Sequence, residues 1–379
     1  MNNDELKTKE TQKKKGGFLK GFCIALCIVT ALALIVFGAY HAILNYYLDK
    51  INIVTEEEEL SFETQRLTEE IPEETQTVEV TETVTEEEEI DLHGTFGTGN
   101  LPLICDTKKV TNILLLATDA RKKGGAGRSD AMILVSINEE NGKIVLCSFL
   151  RDLYAKYPKE PKNPINGGYD KLTHAHAYGG PALTMAVLKE TFNIDIKYYA
   201  KVDFNSFVQV VDAMGGLDLE LTAAEVRIIN KVETATATES WIEGYQASPL
   251  EVKAGVHHLN GIQALCHARN RTIGSDYART QRQRDLISAM IQKARTLSLS
   301  EINRTLEIVL PLITTNMQKD TMKSLIGKVP ALIGYSMEST KIPLEGTYSS
   351  KRYNLVPNLE KNCYPLYEKI YGEPAVKPE

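Results

Sequence analysis

The chain has 379 residues and a net charge of −7, which leaves room for a short tail, one membrane span, a linker and one or two folded domains. The charge is uneven, because residues 55–92 hold sixteen acidic residues against one basic residue, whereas residues 93–379 carry a net charge of +5. So modest a positive charge disfavours a basic nucleic-acid-binding protein.

An apolar run lies near the amino terminus. From Phe22 to Leu44 only His41 is strongly polar, and about 20 consecutive apolar residues allow a helix to cross the hydrocarbon core of a bilayer. Lysines precede the run and acidic residues follow it, so the positive-inside rule places the first twenty or so residues in the cytoplasm and the rest outside. The run is too long for the core of a cleaved signal peptide. We therefore expect a single-pass anchor in the cell membrane.

The acidic segment after this run is expected to be a linker. It is rich in Glu and Thr and has few aromatic residues, and such a segment repels itself and buries little surface. An acidic metal buffer or a partner-binding tail is the alternative interpretation. The sequence thus predicts four parts in chain order: a cytoplasmic basic tail (1–20), a transmembrane helix (21–46), an acidic extracellular linker (47–105) and a folded extracellular domain (106–372).

Strands and helices alternate in the outer domain. Residues 111–118 form a continuous apolar run, which predicts a strand buried on both faces. Apolar runs at 131–137 and 143–150 flank Asn141-Gly142, the strongest short signal of a β-hairpin. Further segments are predicted as helices over 171–178, 181–192, 205–214, 260–268 and 277–297, and as strands over 196–203 and 217–221. We expect an α/β fold with a mixed central β-sheet flanked by helices on both faces.

The cysteines leave their pairing open. Four of the six lie outside the predicted span: Cys105, Cys147, Cys266 and Cys363. An extracellular location permits a disulfide, but widely spaced cysteines are equally suited to be small buried hydrophobic residues.

A first cluster of candidate site residues joins two predicted strands. Asp119 follows the strand over 111–118, and after a glycine-rich loop Asp130 begins the next strand. Ligands of α/β proteins bind at the carboxyl ends of strands, and paired carboxylates suit a hard cation such as Mg²⁺, which also accepts phosphate oxygens. Taken alone, the loop favours an ordinary acidic turn whose acids pair with Arg121 and Arg128.

A second cluster is basic. Arg269 and Arg271 alternate on what we predict to be an extended segment, so their side chains would share a face. The next helix adds one face with i, i+3 and i+4 spacing, made of Arg279, Arg282 and Gln283. Guanidinium groups that converge at a helix amino terminus bind phosphate. A solvated basic helix face is the alternative, and it accounts well for Arg284 but not for the first two arginines.

Together these clusters fit a pyrophosphate held for phosphoryl transfer. Arg151 ends a predicted strand and Lys171 opens a helix, so each would add a cation. Such a site works by positioning and by neutralising the charge that builds on the leaving phosphate. The nucleophile would be a substrate hydroxyl, with Asp119 or Asp130 as the candidate base. His174 and His176 face apart on a helix, so a zinc pair is not expected.

Seven strings resemble, in order, the LytR–CpsA–Psr (LCP) proteins of Gram-positive bacteria. They cover about residues 110–297 and read NILLLATDAR, GRSDAMILVSIN, SFLRD, KLTHAHAYGG, YYAKVDFNSFVQVVDAMGGLDLEL, LNGIQALCHARNR and SDYARTQRQRDLI. The resemblance implies a Mg²⁺-dependent phosphotransferase, with Mn²⁺ as the alternative metal, outside the membrane. Such enzymes transfer a glycopolymer phosphate, such as a teichoic acid or a capsular or secondary wall polysaccharide, from undecaprenyl pyrophosphate to a peptidoglycan hydroxyl.

The resemblance also implies roles by motif. Asp119 and Asp130 would be the metal-side carboxylates and would form the catalytic group with Arg151, Arg269 and Arg271. The other matching residues would bind the pyrophosphate, and they are Arg121, Arg128, Lys171, Arg279, Arg282 and Gln283. The implied partners are the lipid-linked polymer, peptidoglycan and the bilayer, with no nucleic acid. A long apolar channel between sheet and helices would hold the prenyl chain.

The sequence departs from the family pattern at two positions. Leu150 stands where the family usually has Pro before the Arg-Asp pair, and Thr173 stands where Asn is common. A polar insertion over 230–249 is a candidate lid or acceptor contact. Two alternatives to the transferase stay open: a membrane-tethered regulator that binds polyprenyl phosphates without turnover, and a lipid-pyrophosphate phosphatase that uses water as the acceptor.

Overall fold

The structure is a computed structural model, and it describes residues 42–55, 110–118, 127–159, 164–240, 242–274, 276–332, 334–351 and 353–372. The chain divides into two compact units, residues 1–50 and 51–379. In the first unit residues 42–48 are helical. Within the described residues, none of the helices has the length and hydropathy that a membrane crossing requires. The predicted basic tail and most of the predicted span and linker lie outside the described residues.

A seven-stranded mixed β-sheet forms the centre of the second unit. In order across the sheet its strands are β1 (Asn52–Ile53), β10 (Thr314–Thr315), β7 (Tyr198–Asp203), β2 (Val110–Thr118), β3 (Ser129–Asn138), β4 (Lys143–Phe149) and β11 (Ser336–Ile342). β3 is antiparallel to β2 and β4, whereas β7 runs parallel to β2 and β11 runs parallel to β4. The ends of β2, β4, β7 and β11 therefore meet the start of β3 at one edge of the sheet, which we call the carboxyl edge.

Two local expectations about these strands have different outcomes. The predicted hairpin is confirmed, because β3 and β4 pair up to Asn138 opposite Lys143. Gly142 in its turn has φ of 63°, a conformation that glycine adopts without strain. The linker prediction is wrong at residues 52–53, which form β1 and pair with β10.

The α-helices described in the second unit are α1 (Leu172–Phe192), α2 (Phe204–Ala213), α3 (Ala223–Glu239), α4 (Gly261–Arg269), α5 (Asp276–Thr296), α6 (Leu299–Val309), α7 (Lys319–Leu332) and α8 (Leu359–Tyr371). Four of these eight helices, α1, α2, α4 and α5, match predicted helical segments except at their ends. The helical φ and ψ angles of α1 are interrupted at Gly179 and Gly180, between the two helices that the sequence predicts there. The second half of α3 occupies the start of the predicted insertion at 230–249.

Short antiparallel pairs of strands complete the described fold. They are β5 (Tyr154–Lys156) with β6 (Tyr169–Lys171), β8 (Leu217–Leu221) with β9 (Gly255–Leu259), and β12 (Tyr348–Lys351) with β13 (Asn354–Pro357). The pair of β5 and β6 leads directly into α1, so it sets where that helix begins.

The two faces of β2 differ in burial. Leu114 and Leu116 are fully buried in a hydrophobic cluster with residues of α1 and α8, so the sheet is flanked by helices as predicted. The alternate residues of β2 are only partly buried: Ile113, Leu115 and Ala117. The prediction of a strand buried on both faces is therefore wrong, because one apolar face of β2 stays partly open.

A second hydrophobic cluster joins α2, α3, α4 and α5 to the pair of β8 and β9. Val211, Ile229 and Leu265 are buried in it. Since β7 continues directly into α2, this cluster fixes α4 relative to the carboxyl edge. The last residue of α4 is Arg269, so packing in the cluster decides where that guanidinium group lies.

Candidate functional site

The carboxyl edge gathers the charged candidates. Thr118, the last residue of β2, lies opposite Ser129 on β3 and opposite Asp203 on β7. Asp130 is the second residue of β3, and Arg151 lies just beyond the end of β4. Parallel strand ends bring their following residues together, so Asp130 and Arg151 lie at one edge of the sheet, where the sequence predicts the site.

Two predicted members of the site lie outside the described residues. Asp119 follows the end of β2 directly, and Arg121 comes two residues later. The predicted pairing of Asp119 with Asp130 around a metal ion therefore stays a prediction.

Asp130 accepts hydrogen bonds from two arginines. Arg151 Nη1 lies 3.2 Å from Oδ1 of Asp130, and Arg271 Nη2 lies 3.2 Å from Oδ2 and 3.4 Å from Oδ1. The side chain of Asp130 is 18% exposed and that of Arg271 is 52% exposed. Hydrogen bonds between ionised groups are among the strongest in proteins, so this carboxylate holds two guanidinium groups together at a site that opens to solvent beside Arg271.

Asp152 extends this group towards α1. Its Oδ2 lies 3.4 Å from Nε of Arg151, and its Oδ1 lies 3.0 Å from Nζ of Lys171. Opposite charges thus alternate from Asp130 through Arg151 and Asp152 to Lys171. The sequence predicts both cations as site residues but not Asp152, although its position directly after Arg151 at a strand end is the available signal.

Thr173 fixes the start of α1 to both neighbouring strands. Its backbone N–H donates to the carbonyl oxygen of Arg151 at 3.1 Å, and its hydroxyl donates to the carbonyl oxygen of Ser129 at 2.9 Å. On the next turn, buried His176 has Nδ1 2.7 Å from the carbonyl oxygen of Gly127. The departure from the family pattern at Thr173 therefore places a hydroxyl group where it bonds the backbone beside Asp130.

Arg269 lies at the same edge but has different partners. It is the last residue of α4, so the prediction of an extended segment is wrong here. Its guanidinium carbon lies 4.7 Å from the ring centroid of Phe204, and its Nη1 lies 2.8 Å from Oε2 of Glu239. Because Phe204 begins α2 directly after β7, Arg269 belongs to the carboxyl edge. Among the described residues its carboxylate partner is Glu239, whereas that of Arg271 is Asp130.

Arg282 supports the loop that carries Arg271. Its Nη2 donates to the carbonyl oxygens of Asn270 at 2.6 Å and Ile273 at 3.1 Å, and its Nη1 lies 3.7 Å from Oε1 of Glu225. The guanidinium group is buried, and burial lowers the pKa of Arg282. These contacts favour a role in positioning Arg271 over direct binding of a pyrophosphate.

The other basic candidates differ in exposure. Arg279 lies in the first turn of α5 and is 2% exposed, whereas Arg128 before β3 is exposed. Gln283 is partly buried, with its Nε2 3.5 Å from the carbonyl oxygen of Ala268. Arg284 is 3% exposed, and burial lowers its pKa. The interpretation of Arg284 as part of a solvated helix face is therefore wrong.

The start of α5 also reaches the carboxyl edge. Tyr277 lies in its first turn, and the Nζ of Lys341 on β11 lies 3.9 Å from the centre of its ring. Lys341 pairs with Ser148 near the end of β4. Arg279 is two residues after Tyr277, so the buried arginine of α5 lies at the same end of the sheet as Arg151.

The described residues fit a Mg²⁺ ion only in part. Among them, no group of three or more His, Cys, Asp or Glu side chains could hold a metal ion. Asp130 supplies hard carboxylate oxygens at the carboxyl edge, and Mg²⁺ is commonly bound by one or two carboxylates together with substrate phosphates and water. Binding of Mg²⁺ at this edge therefore stays a prediction, and it would need ligands besides Asp130.

Residues 66–363 match the LytR_cpsA_psr family, and this segment contains every candidate described above. This chain belongs to the LytR_cpsA_psr family. Its mixed α/β fold agrees with a solved family structure, the Bacillus subtilis protein YwtF (TagT) with bound octaprenyl pyrophosphate lipid. That structure is similar with a TM-score of 0.50 and 25% identity, over 73% of this chain and 99% of that chain.

Two relatives of this LytR_cpsA_psr chain have names that describe different functions, one a transferase and the other a regulatory protein. The polyisoprenyl-teichoic acid–peptidoglycan teichoic acid transferase TagT of Bacillus subtilis is 34% identical over 191 residues, or 49% of this chain and 53% of TagT. Biofilm regulatory protein A of Streptococcus mutans is 30% identical over 295 residues, or 74% of this chain and 68% of that protein. The match to TagT thus spans about half the length of that relative.

Proposed function

We propose that this protein transfers a phosphate-linked glycopolymer from undecaprenyl pyrophosphate to a hydroxyl group of peptidoglycan. The reaction would take place at the carboxyl edge, in a domain anchored to the outer side of the cell membrane. Family membership and the transferase name of TagT support this proposal. The observation that carries it is the contact of Asp130 with Arg151 and Arg271 at this edge.

The electrostatics suit a diphosphate and its leaving group. Arg151 and Arg271 converge on one carboxylate, and Arg269 and Arg279 lie at the same edge. Guanidinium groups are permanently charged and match phosphate oxygens with paired donors. Charge builds on the departing prenyl phosphate as its phosphorus–oxygen bond breaks, and donors that are already in place stabilise that charge without reorganisation.

The partly open face of β2 suits the prenyl chain. Its residues Ile113, Leu115 and Ala117 are apolar and only partly buried. Removing apolar surface from water is favourable, and Ala117 is one residue from the end of β2. A prenyl chain on this face would therefore extend from the charged group.

The proposed metal is Mg²⁺, with Mn²⁺ as the alternative. Asp130 would hold it together with Asp119 and with phosphate oxygens of the substrate. When bound, the ion supplies positive charge that polarises the phosphoryl oxygens.

Biofilm regulatory protein A favours a second candidate function. Its name describes a regulator, so binding of a polyprenyl phosphate without turnover is the competing proposal. A lipid-pyrophosphate phosphatase differs from the transferase only in its acceptor, which is water.

The test uses the full chain in detergent with a synthetic prenyl pyrophosphate that carries a labelled disaccharide. With purified peptidoglycan and Mg²⁺, we expect labelled peptidoglycan and free prenyl monophosphate, and we expect EDTA to abolish both. Release of the label without attachment to peptidoglycan would indicate the phosphatase. Binding without any release would refute the transferase and favour the regulator.

Arg271→Ala tests the role of the cations at Asp130. Loss of one donor to developing charge typically lowers kcat about 10²–10³-fold, and we expect a decrease of that size. Arg271 is 52% exposed, so the fold should tolerate the change. Exposed Arg304 on α6 is the matched control, and Arg304→Ala should transfer at the rate of the unaltered chain. Equal activity of both variants would contradict the assigned role.

A further inference from the structure

Arg284 of α5 is a buried cation without a counter-ion. The residue is 3% exposed. Its Nη2 donates to Oε1 of Gln281 at 2.6 Å, whereas Nε and Nη1 have no hydrogen-bond partner and no described residue forms an ion pair with the guanidinium group. Buried charges in folded proteins are paired in nearly all cases, because an uncompensated one is strongly unfavourable. A ligand that supplies negative charge would remove this cost.

Lys341 of β11 is a second cation in the same position. Its Nζ lies 3.9 Å from the centre of the Tyr277 ring, and it forms no ion pair with any residue that the structure describes. Burial lowers the pKa of Lys341; the charge of Glu345 opposes this decrease and the charge of Arg284 adds to it. Because the two positive charges act on each other, their arrangement is unfavourable until an anion lies between them.

Both cations lie between α5 and the sheet. Tyr277 and Arg284 are seven residues apart, about two helical turns, so they share one face of α5. Tyr277 contacts Lys341 on β11, and α5 packs against the adjacent strand β4. Burial raises the pKa of Cys147 on β4, and the charge of Arg284 opposes that increase. The guanidinium group of Arg284 therefore faces β4 and β11.

Ser148 of β4 adds a hydroxyl group to the two cations. It pairs with Lys341 on β11 and with Ile133 on β3, and paired residues of neighbouring strands point to the same face of a sheet. Ser148 is 1% exposed, and among the residues described its Oγ has no hydrogen-bond partner. The hydroxyl group of Ser148 and the ammonium group of Lys341 thus lie on the face of the sheet that α5 covers.

This group borders the surface that we propose for the prenyl chain. Ile133, the partner of Ser148, pairs in turn with Leu115 on the partly open face of β2. One row of the sheet therefore leads from the cation on β11 to the apolar surface on β2. Lys341 is itself only partly buried, so an anion reaches the group from solvent at the side of β11.

We propose that Arg284, Lys341 and Ser148 bind one phosphate group between α5 and the sheet. The guanidinium, ammonium and hydroxyl groups supply several donors, and a phosphate has enough oxygens to accept from all three. The bound anion also supplies the negative charge that both cations lack. Free inorganic phosphate and the head of a prenyl monophosphate share this chemistry. The site differs in its residues from the group around Asp130 and does not depend on transfer, so it goes beyond the proposed function.

Protection of Lys341 from acetylation tests the site in the full chain in detergent. Acetic anhydride labels lysines in a phosphate-free buffer, and mass spectrometry of peptides gives the rate at Lys341 during titration with inorganic phosphate or farnesyl monophosphate. A ligand at about ten times its Kd leaves about one-tenth of the sites free, so labelling should slow about tenfold. Exposed Lys361 on α8 is the matched control, and its rate should not change. Sodium chloride at equal ionic strength controls for screening.

The variant Arg284→Gln should abolish the protection of Lys341. Equal protection in this variant, protection by sodium chloride or protection by farnesol, which has no phosphate, would overturn the assignment. Full labelling of Lys341 with both phosphate probes would also overturn it. Protection by farnesyl monophosphate alone assigns a lipid headgroup, and protection by inorganic phosphate assigns the free anion. If Arg284→Gln does not fold, Ser148→Ala, which removes only the hydroxyl group, should weaken the protection, and unchanged protection would refute the site. The transfer assay is separate, so either proposal can fail alone.

Discussion

Gly261 makes a close contact between α4 and α2. A Cβ atom added to Gly261 would lie 2.3 Å from the carbonyl oxygen and 2.8 Å from the Cα atom of Val208. Ordinary contacts of this kind begin at 3.4 Å, so Gly261→Ala requires α4 to move by roughly 1 Å if α2 stays in place. The Gly261 N–H also donates to Oδ1 of Asp212 at 2.7 Å, which holds the helix start where the clash occurs.

The expected cost of this substitution is that of overpacking a core, about 1–3 kcal/mol. For domains of this size each kcal/mol shifts Tm by about 2–4 °C, so a decrease of roughly 2–12 °C follows. Because α4 ends at Arg269 above Phe204, we also expect weaker binding of the prenyl pyrophosphate. Gly261 does not have a positive φ, so the expected destabilisation comes from the steric clash with Val208 and not from backbone strain.

The assay is thermal unfolding of the full chain in detergent, with Gly327→Ala in α7 as the matched control. Nothing lies within 4 Å of a Cβ atom added at Gly327, and alanine is more stable than glycine inside a helix by about 0.5–1 kcal/mol. The two variants should therefore shift Tm in opposite directions. An unchanged or raised Tm for Gly261→Ala would refute the reasoning.

Two further predictions concern buried titratable groups. Burial lowers the pKa of His267 to about 4 from an ordinary value of 6.5, so the unfolded chain binds a proton that the folded chain does not. The contribution of His267 to the free energy of unfolding is fully present above pH 6.5 and decreases by up to about 3 kcal/mol as the pH falls towards 4. Urea unfolding at pH 7.5 and pH 5 measures this decrease. His267→Gln should make the difference between the two pH values smaller. Burial raises the pKa of Cys147 and Cys363 to about 12, so both thiols should resist iodoacetamide at pH 8 until urea is added, as read by mass spectrometry of peptides. Rapid labelling of the folded chain would contradict that burial.

The parts of the fold that could be predicted depend on local signals. Asn141-Gly142 specifies a hairpin whatever surrounds it, and the strand and helix over 198–213 follow a change from alternating to helical periodicity. The free cysteines could not be predicted in this way. Cys147, Cys266 and Cys363 are buried and unpaired, and their spacing in sequence carries no information on their distances in space.

The open face of β2 could not be predicted, because periodicity reports which residues are apolar and not what covers them. Ile113 and Leu115 look the same in sequence as their buried neighbours on the opposite face. The alternation of Arg269 with Arg271 in the sequence predicts an extended segment. The capping box of Asn260 and Gln263 starts α4, and the sequence has no breaker before Asn270, so the helix continues through Arg269.

Some residues of the candidate site could likewise be predicted from the sequence, and others could not. Asp130 and Arg151 were predictable because strand ends in α/β proteins meet at one edge. The role of Arg282 was not, because its partners are backbone carbonyl groups of a loop, and carbonyl groups have no signature in the sequence.

The partly open face of β2 has a consequence for biochemistry on this protein. Any molecule with a long hydrocarbon tail, including a detergent used for extraction, can cover the same leucine and isoleucine side chains that a prenyl chain would cover. Detergent monomers would then compete with the prenyl chain that we propose for this face. Affinities measured in one detergent are therefore properties of the protein and that detergent together, and the chain length of the surfactant belongs among the variables of every assay.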